Sequence, residues 1–352
     1  MKKTRKHRTI NVAILAFETS ATIPITGSTD VLNKSAAVWA GTYGKASPYA
    51  TFVVEFVGIT RKPLHFGDAI TLRPHASIAT AKKPDLVLIP SAGENVMETL
   101  DSLRAFVPWI KACSANGSRV VSLCTGAFLL AETGLLDDRA ATTHWFLAEV
   151  FRRTYPKVNL HPERLIVDEG NVITSGAATS FLDLALYLIE LYNGHEAAIL
   201  VAKAFPIEMG RHSQLPYTIF STQKMHSDRQ ILRVQQFMEG NSHRELTIES
   251  LAGGAAMSVR NFDRRFSNAV GQAPIAYLQK LRIEKAKRFL ETTNDTVAEI
   301  MISVGYEDER SFRRLFHTLT DLSPKAYRGR YGNNTRQFTV PTCRSLDPLA
   351  AA

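Results

Sequence analysis

The chain has 352 residues, of which 45% are hydrophobic and 21% charged, and its formal net charge is +9. This is the composition of an ordinary globular protein with room for two domains and a core in each. No apolar run approaches the roughly 20 residues that a membrane-spanning helix needs, and residues 1–8 lack the apolar stretch of a secretory signal. The sequence therefore predicts a protein without a membrane segment, and we expect it in the cytoplasm.

The three cysteines, Cys113, Cys124 and Cys343, stand at wide and irregular spacing. This spacing indicates neither a disulfide framework nor a zinc site, which fits a reducing compartment. The histidines also lack metal-ligand spacing. We therefore expect no metal and no cofactor.

Both ends of the chain have the composition of loose segments. Five of the first eight residues are Lys or Arg, which predicts a basic disordered arm over residues 1–8. Residues 332–352 contain Asn333 and Asn334 and finish in an Ala-rich stretch, which predicts a flexible tail.

Residues 9–205 are predicted to form the larger, N-terminal domain. Apolar runs of strand length alternate there with amphipathic helical stretches, which is typical of an α/β domain with a mostly parallel, buried sheet and helices on both faces. The predicted strands are Val12–Phe17, Phe52–Val57, Leu86–Ile89 and Val120–Leu123. The predicted helices are Asn95–Ala115, Phe128–Glu132, Trp145–Arg153 and Phe181–Leu191.

One turn in this domain has the pattern of a reactive site. A strand runs directly into Cys124, and the small residues Thr125 and Gly126 open the next helix. Such a nucleophile elbow exposes its side chain on a strained turn, and the helix end would favour a thiolate and could hold an oxyanion. His144 is a candidate base or thiolate partner. A cysteine at the end of a buried strand is also compatible with inert packing, and a lone histidine with a structural hydrogen bond, so both interpretations stay open.

A repeat of fifty residues dominates the sequence after a connector predicted over 206–228. Each copy has a short helix signal, a turn and a basic helix, which is the pattern of a helix-turn-helix motif. The matching positions are Phe262, Phe266, Pro274 and Tyr277 in the first copy and Phe312, Phe316, Pro324 and Tyr327 in the second.

The two basic helices of this repeat carry arginine pairs opposite their phenylalanine pairs, at 100° per residue. These residues are Arg260 and Arg264 in the first copy and Arg310 and Arg314 in the second, with Asp263 and Arg313 flanking them. An α-helix fits the DNA major groove, where arginine can bind guanine O6 and N7 bidentately. A solvated charged face is the alternative for one such helix, but two copies in register favour DNA reading.

Local signals support both motifs. Thr296 with Glu299 forms a capping box, and Ser258 and Asp308 are good N-cap residues. Gly253 and Gly254 stand near the predicted end of the first short helix, which predicts that this helix is short or frayed.

Residues 275–290 are predicted to form a long amphipathic helix between the motifs. A rigid spacer of this kind would place the two reading helices in successive major grooves, about 34 Å apart.

Residues 229–331 resemble the AraC-type DNA-binding domain, and the resemblance includes Leu281–Ala286 and the closing Ser323–Arg328. It implies an all-α domain with two helix-turn-helix units that binds promoter DNA and works with RNA polymerase. The residues that match the reading positions of the family are Arg260, Asp263, Arg264, Arg310, Ser311, Arg313 and Arg314.

Residues 10–200 resemble the PfpI-like branch of the class I glutamine amidotransferase superfamily. The segments Cys124–Ala127, Leu130–Asp137 and Thr142–Trp145 are similar to the GlxA group, whose members join this domain to an AraC-type domain. The resemblance implies a flavodoxin-like fold that binds a small, often nitrogenous metabolite and forms a homodimer. The implied effector pocket includes Gly93, Cys124, Thr125 and His144.

The sequence also departs from the amidotransferase pattern. Ser122 stands where many members have Gly, and Ser91-Ala92-Gly93 stands where a Gly pair near the oxyanion site is commoner. Asp30 matches the position of a common acidic residue, while Glu18 lies nearer the first strand. We therefore expect no catalytic residue, with Cys124, His144 and Asp30 as vestigial candidates.

The sequence leaves two hypotheses. In the first, the chain is a sequence-specific transcription regulator, more often an activator in this family, whose first domain senses a metabolite. In the second, it is a cysteine-dependent hydrolase of the amidase or deglycase type that carries a DNA-binding module.

Overall fold

The computed structural model describes residues 8–93, 95–220, 224 and 226–333. They form two compact units, divided between Gln214 and Leu215. Most of the predicted basic arm, the tail from residue 334 onward and Cys343 lie outside the described residues.

The first unit is an α/β domain. Its strands are β1 Thr9–Leu15, β2 Thr51–Gly58, β3 Leu64–Phe66, β4 Ile70–Leu72, β5 Ala76–Ser77, β6 Leu86–Ile89, β7 Arg119–Leu123, β8 Ala140–Ala141, β9 Asn159–Leu160, β10 Ile166–Asp168 and β11 Val172–Ser175. Its helices are α1 Thr22–Tyr43, α2 Val96–Leu103, α3 Val107–Ala115, α4 Gly126–Glu132, α5 Ala148–Thr154, α6 Phe181–Asn193 and α7 His195–Ala204.

Among the described residues, seven strands form the main sheet in the order β10-β11-β7-β6-β1-β2-β5. The β10–β11 pair is antiparallel and the other pairs are parallel. Both faces are covered, because Ala13 and Leu15 of β1 pack into one core while Ile10, Val12 and Ile14 pack into the other. The mostly parallel sheet with helices on both faces confirms the predicted fold class.

Two predicted helices are divided in the structure. The helix predicted over Asn95–Ala115 is broken by a 3-10 helix at Arg104–Phe106. Pro108 lies in the first turn of the helix that follows, where its missing N–H is tolerated. The predicted helix Trp145–Arg153 begins as a 3-10 helix at Trp145–Leu147 before α5.

Helices α1 and α7 have no counterpart among the predicted elements. The buried face of α1 includes Ser28 and Ser35 besides apolar residues, so its periodic apolar signal is weak. Gly27 has a packing reason, because a Cβ there would overlap the ring of Phe181.

The second unit consists of helices. They are α8 Arg229–Asn241, α9 Ile248–Gly254, α10 Val259–Val270, α11 Pro274–Thr292, α12 Val297–Ser303, α13 Glu309–Thr320 and α14 Pro324–Tyr331. This unit has two small cores, and α11 contributes to both, with Tyr277 and Leu281 in the first and Ile283 and Leu290 in the second. The spacer predicted over 275–290 is therefore one helix that joins the two motifs.

The stretch predicted as a connector is divided between the two units. Ile207 packs into a core of the first unit, and Gln214 is fully buried there. Phe220 packs against the first core of the second unit. Within the described residues, no helix is both long enough and apolar enough to cross a membrane.

Candidate DNA-binding surface and the Cys124 site

Helix α10 is preceded by its N-cap residue Ser258, whose hydroxyl accepts a hydrogen bond from the backbone N–H of Asn261 at 3.4 Å. It is followed by the C-cap residue Gly271, which adopts the left-handed conformation that glycine tolerates. Phe262 and Phe266 are fully buried, with ring centroids 5.7 Å apart. Opposite them Arg260 and Arg264 are exposed, and Asp263 lies half-buried at their side.

Helix α13 repeats this arrangement. The Asp308 carboxylate accepts the Ser311 backbone N–H at 2.8 Å, and hydrogen bonds from Ser311 lower the pKa of Asp308. Phe312 and Phe316 are fully buried, with ring centroids 5.9 Å apart. The exposed residues of the opposite face are Arg310, Arg313 and Arg314, and Ser311 is half-buried.

Two of the exposed arginines are oriented by neighbours on their own helix. Arg264 donates from Nη2 to Oδ1 of Asn261 at 3.2 Å. Arg313 donates from Nε to Oε1 of Glu309 at 2.6 Å. The sequence predicted the arginines but not these partners, which appear only when i,i+3 and i,i+4 neighbours are considered.

Arg282 of α11 bonds the loop that precedes the first motif and contacts the turn of the second, a role that the sequence did not predict. Its Nε donates to the Ser242 carbonyl at 2.7 Å and its Nη2 to the Arg244 carbonyl at 2.8 Å. Its guanidinium group also lies 5.2 Å from the ring centre of Tyr306, in the turn of the second motif. Arg282 therefore joins the loop between α8 and α9 to the turn of the second motif.

Both short helices begin with capping boxes. Thr296 and Glu299 form the predicted one, and Thr247 and Ser250 form a second that was not predicted. Helix α9 is short, as expected from its glycines, but α12 has the same length of seven residues. The backbone bonds of both helix starts are satisfied in the same way.

Cys124 lies on a strained turn in the first unit. Its φ is 53°, in the left-handed region, and its side chain is buried at 5% exposure. Gly126 is required directly after this turn, because a Cβ there would come within 2.5 Å of the Pro90 carbonyl oxygen. The strand, turn and helix thus have the geometry of the predicted elbow.

A cluster of polar groups surrounds Thr125, the residue after Cys124. Its hydroxyl lies 2.9 Å from the Ser91 hydroxyl and accepts the Ala92 backbone N–H at 2.9 Å. It also donates to the Gly93 carbonyl at 3.1 Å. The Ala92 N–H is therefore occupied by the protein itself, and an oxyanion would have to displace Thr125 to reach it.

The Cys124 thiol differs from the sequence expectation. Burial raises its pKa, and the hydrogen bonds of Ser91 and Thr125 oppose this only in part. The helix start was expected to favour a thiolate, but removal from water disfavours the charged form more strongly. Burial therefore shifts the pKa of this thiol in the direction opposite to that expected from the helix start.

The other candidates of this site have separate roles. His144 is half-buried, and its Nδ1 accepts the Phe146 backbone N–H at 3.2 Å. Asp30 is exposed on α1, and the Glu18 carboxylate accepts the His65 backbone N–H at 3.1 Å. In the described part of the chain, neither carboxylate belongs to the polar cluster around Thr125.

Ser122, one of the departures from the amidotransferase pattern, is fully buried on β7. Across the described residues, no group of three or more His, Cys, Asp and Glu side chains could hold a metal ion.

The two units together define a class of protein, a DNA-binding regulator in which a helical reading unit follows an α/β unit. Comparison with known families agrees with each half. Residues 251–330 match the helix-turn-helix domain family, and residues 10–191 match the DJ-1/PfpI family. The chain belongs to the DJ-1/PfpI family and carries an AraC-type helix-turn-helix domain, as both resemblances implied.

Two curated proteins and one solved structure are similar to this chain. The chain is 28% identical over 263 residues to the HTH-type transcriptional regulator CdhR of Pseudomonas aeruginosa, covering 74% of this chain and 77% of that protein. It is 26% identical over 225 residues to the HTH-type transcriptional regulator GlxA of Rhizobium meliloti, covering 64% and 69%. The solved structure of Drosophila melanogaster DJ-1beta is 17% identical with a TM-score of 0.47, covering 57% of this chain and 99% of that one.

CdhR and GlxA are named as transcriptional regulators, and this chain is likewise a DNA-binding transcription regulator. Their names agree with a chain that is not an enzyme.

Proposed function

We propose that this chain activates transcription by reading promoter DNA through α10 and α13, and that its first unit senses a small nitrogenous metabolite without converting it. We further propose a homodimer formed through the first unit, acting with RNA polymerase on the nucleoid in the cytoplasm. The activator role, the dimer, the polymerase and the nitrogenous ligand follow from the family resemblance.

The observation that carries the DNA-binding proposal is the common geometry of α10 and α13. Each helix buries a phenylalanine pair and exposes arginines on the opposite side. A merely solvated charged face would not be expected to recur with a side-chain cap, a buried phenylalanine pair and an exposed arginine pair at matching positions of both helices. We assign the reading positions to Arg260, Asp263, Arg264, Arg310, Ser311, Arg313 and Arg314.

A sensing role for the first unit is supported by the chemistry around Cys124. A hydrolase needs a thiolate and free donors for an oxyanion. Here burial raises the pKa of Cys124, and Thr125 already accepts the Ala92 N–H. The small ligand itself follows from the family resemblance. We assign the effector pocket to Gly93, Cys124, Thr125 and His144.

The DNA-reading assignment is tested with binding-site selection on the full-length protein, followed by titration of the selected duplex. Arg264→Ala and Arg314→Ala should each weaken specific binding by ~1–3 kcal/mol and relax the preference at one base pair. Arg288→Ala is the matched control, because Arg288 is an exposed arginine on α11 and carries the same charge. If the two recognition-helix variants select the same sequences as wild type, the assignment of α10 and α13 is wrong.

The sensing assignment is tested by a thermal-shift screen of small amines, amino acids and betaines. A ligand at 100 times its Kd adds about 2.7 kcal/mol to stability. Cys124→Ser should leave promoter binding intact, and wild type should bind any ligand that the screen finds without converting it. Turnover of such a ligand by wild type that is lost in Cys124→Ser would instead support the hydrolase.

A further inference from the structure

Gln214 is the last residue of the first unit and is fully buried within it. Its backbone N–H donates to the Glu163 carbonyl at 2.8 Å, and Ser213 pairs with Arg164 as an antiparallel bridge. Arg211, three residues earlier, donates from Nε to the buried Asp183 carboxylate at 3.0 Å. The end of this unit is thus held by both backbone and side chains.

The side chain of Gln214 continues from this segment toward Cys124. Its Nε2 group donates a hydrogen bond to the Thr143 carbonyl oxygen at 2.9 Å. The Thr143 hydroxyl in turn donates to the Cys124 carbonyl at 2.9 Å. Two hydrogen bonds therefore connect the strained Cys124 turn to the last residue of the unit. The other acceptors around Nε2 are Thr142 Oγ1 and the carbonyls of Pro162 and Arg164.

Residues with strained backbone lie close to this chain of hydrogen bonds between Cys124 and Gln214. The Cys124 N–H donates to the Ser175 carbonyl at 2.7 Å. Gly176 follows, and a Cβ there would overlap the Gln214 carboxamide. Ala177 has φ 62° and ψ 153°, a region occupied almost only by glycine. Strained backbone of this kind persists where the surroundings hold it, and it clusters at switch regions.

The carboxamide of Gln214 is itself only half satisfied. Its Oε1 is buried with no hydrogen-bond partner among the described residues. An unpaired buried acceptor costs free energy, so an alternative arrangement of this residue that pairs Oε1 is accessible at lower cost than for a fully bonded side chain.

Residues 215–220, which follow Gln214, are hydrogen-bonded to α11, the helix between the two DNA-reading motifs. The Thr218 carbonyl accepts a hydrogen bond from the buried Lys287 ammonium at 2.5 Å. The Phe220 backbone N–H donates to Oε2 of Glu284 at 3.2 Å. Lys287 and Glu284 both belong to α11, which carries residues of both cores of the second unit. Movement of residues 215–220 would therefore act on the spacer that relates α10 to α13.

We propose that Gln214 is a positioning residue of the sensor site and couples the Cys124 turn to residues 215–220 through Thr143. This inference rests on the proposed function, because it assumes that the first unit regulates DNA binding. A ligand that alters the Cys124 turn would alter the hydrogen bond between Thr143 and Gln214. In the other direction, DNA that shifts residues 215–220 would alter the Cys124 turn. Such coupling between two sites is reciprocal.

The reciprocal direction gives a test that needs no identified effector. In the full-length chain carrying Cys113→Ser and Cys343→Ser, the rate of Cys124 modification by Ellman's reagent is measured with and without the selected operator duplex. Bound DNA should change this rate on the order of fivefold or more. Gln214→Met keeps the length of the side chain but removes the carboxamide, and it should abolish the change while the operator is still bound.

Thr143 supplies a matched pair of variants on the same route. Thr143→Val removes the hydroxyl that bonds Cys124 and should also abolish the change, whereas Thr143→Ser keeps the hydroxyl and should retain it. A merely structural role for Thr143 would make both variants alter stability without separating them in this assay. Insertion of a short Gly-Ser segment between Gln214 and Leu215 leaves both units intact, and it should uncouple them even if Gln214→Met fails to fold.

The outcomes are distinct. If wild type shows no DNA-dependent rate, or if Gln214→Met, Thr143→Val and the insertion all retain it, the coupling inference is overturned. Failure to select any operator contradicts the DNA-reading proposal instead, and failure of the ligand screen contradicts the sensing proposal while the coupling is still measured.

Discussion

Tyr327 donates a hydrogen bond from its hydroxyl group to Oε1 of Glu291 at 2.7 Å. The equivalent tyrosine of the first motif, Tyr277, bonds Oε1 of Glu239 at 3.1 Å. Each tyrosine ring packs edge-on, at 5.5 Å, against the second phenylalanine of its own motif. The repeat thus duplicates a polar contact with a carboxylate as well as an apolar core.

We expect Tyr327→Phe to lower the free energy of unfolding by about 1–3 kcal/mol, because it removes a hydrogen-bond donor from a partly buried carboxylate. Urea denaturation measures the change, and Tyr277→Phe should give a loss of the same order. Tyr43→Phe is the control, since Tyr43 is 46% exposed. An equal loss in the control would contradict a specific role for the tyrosine–glutamate pair.

The same pair predicts a dependence of stability on pH. Burial, the hydrogen bond to Glu291 and the charge of that carboxylate raise the pKa of Tyr327 above its ordinary value of about 10. The folded state therefore holds the proton more tightly than the unfolded state. This contribution is fully present below about pH 10 and is lost as the pH rises through the folded pKa. The denaturation midpoint of wild type should fall more steeply above pH 10 than that of Tyr327→Phe.

The sequence predicted the elements whose signal is local and periodic. Strand β6 has the predicted bounds, Leu86–Ile89, because it is a short apolar run that is buried on both faces. The burial of Phe262 and Phe312 was predicted because 100° per residue fixes which helix face they occupy. Ser258 and Asp308 cap their helices as predicted, since a cap depends only on residues within one turn.

Other features depend on contacts that are distant in the sequence and could not be predicted. Gln214 stands in a polar stretch that is typical of a linker, yet its partner Thr143 is 71 residues away. The protonation of Cys124 depends on how deeply the turn is buried, and the motif alone does not contain that information. Helix α1 places Ser28 and Ser35 in its buried face, where a periodic pattern predicts apolar residues.

Each motif turn has a residue of positive φ nine positions after the N-cap threonine of its first helix, but this residue is an alanine in the first motif and a glycine in the second. Ala256 has φ 53°, whereas Gly305 has φ 90° at the matching place in the second motif. The left-handed conformation costs an alanine roughly 1–2 kcal/mol, part of which returns as flexibility of glycine in the unfolded chain. We therefore expect Ala256→Gly to raise the free energy of unfolding by about 0.5–1 kcal/mol.

The reverse change in the second motif should have the opposite effect. A Cβ at Gly305 would lie 2.7 Å from the His243 carbonyl oxygen, so Gly305→Ala adds a steric clash to the backbone strain. We expect it to lower the free energy of unfolding by about 1–3 kcal/mol. Urea denaturation measures the free energy of unfolding of both variants. If Ala256→Gly and Gly305→Ala change it in the same direction, the two turns are not equivalent.

Asp263 and Arg313 occupy the same place in the repeat but carry opposite charges. An acidic side chain accepts from cytosine N4, whereas arginine donates to guanine, and each good pair discriminates by about 1–3 kcal/mol. The two half-sites should therefore differ at the base facing this position. In the double variant Asp263→Arg with Arg313→Asp, binding-site selection should exchange the two preferences. Arg288→Asp changes the charge on α11 and should leave the selected sequences as they are in wild type.

The Cys124 thiol provides a direct test of how its site works. Because burial raises its pKa, the pH profile of alkylation by iodoacetamide should have its midpoint above the ordinary thiol pKa of about 8.5. The rate at neutral pH should be lower than in the same chain unfolded in urea, with Cys113 and Cys343 replaced by serine in both. The Ser91 hydroxyl lowers the pKa of this thiol, so Ser91→Ala should move the midpoint further upward. A midpoint below 8.5 would mean that the thiolate is stabilised after all, and the first unit would then have the reactive nucleophile that a hydrolase requires.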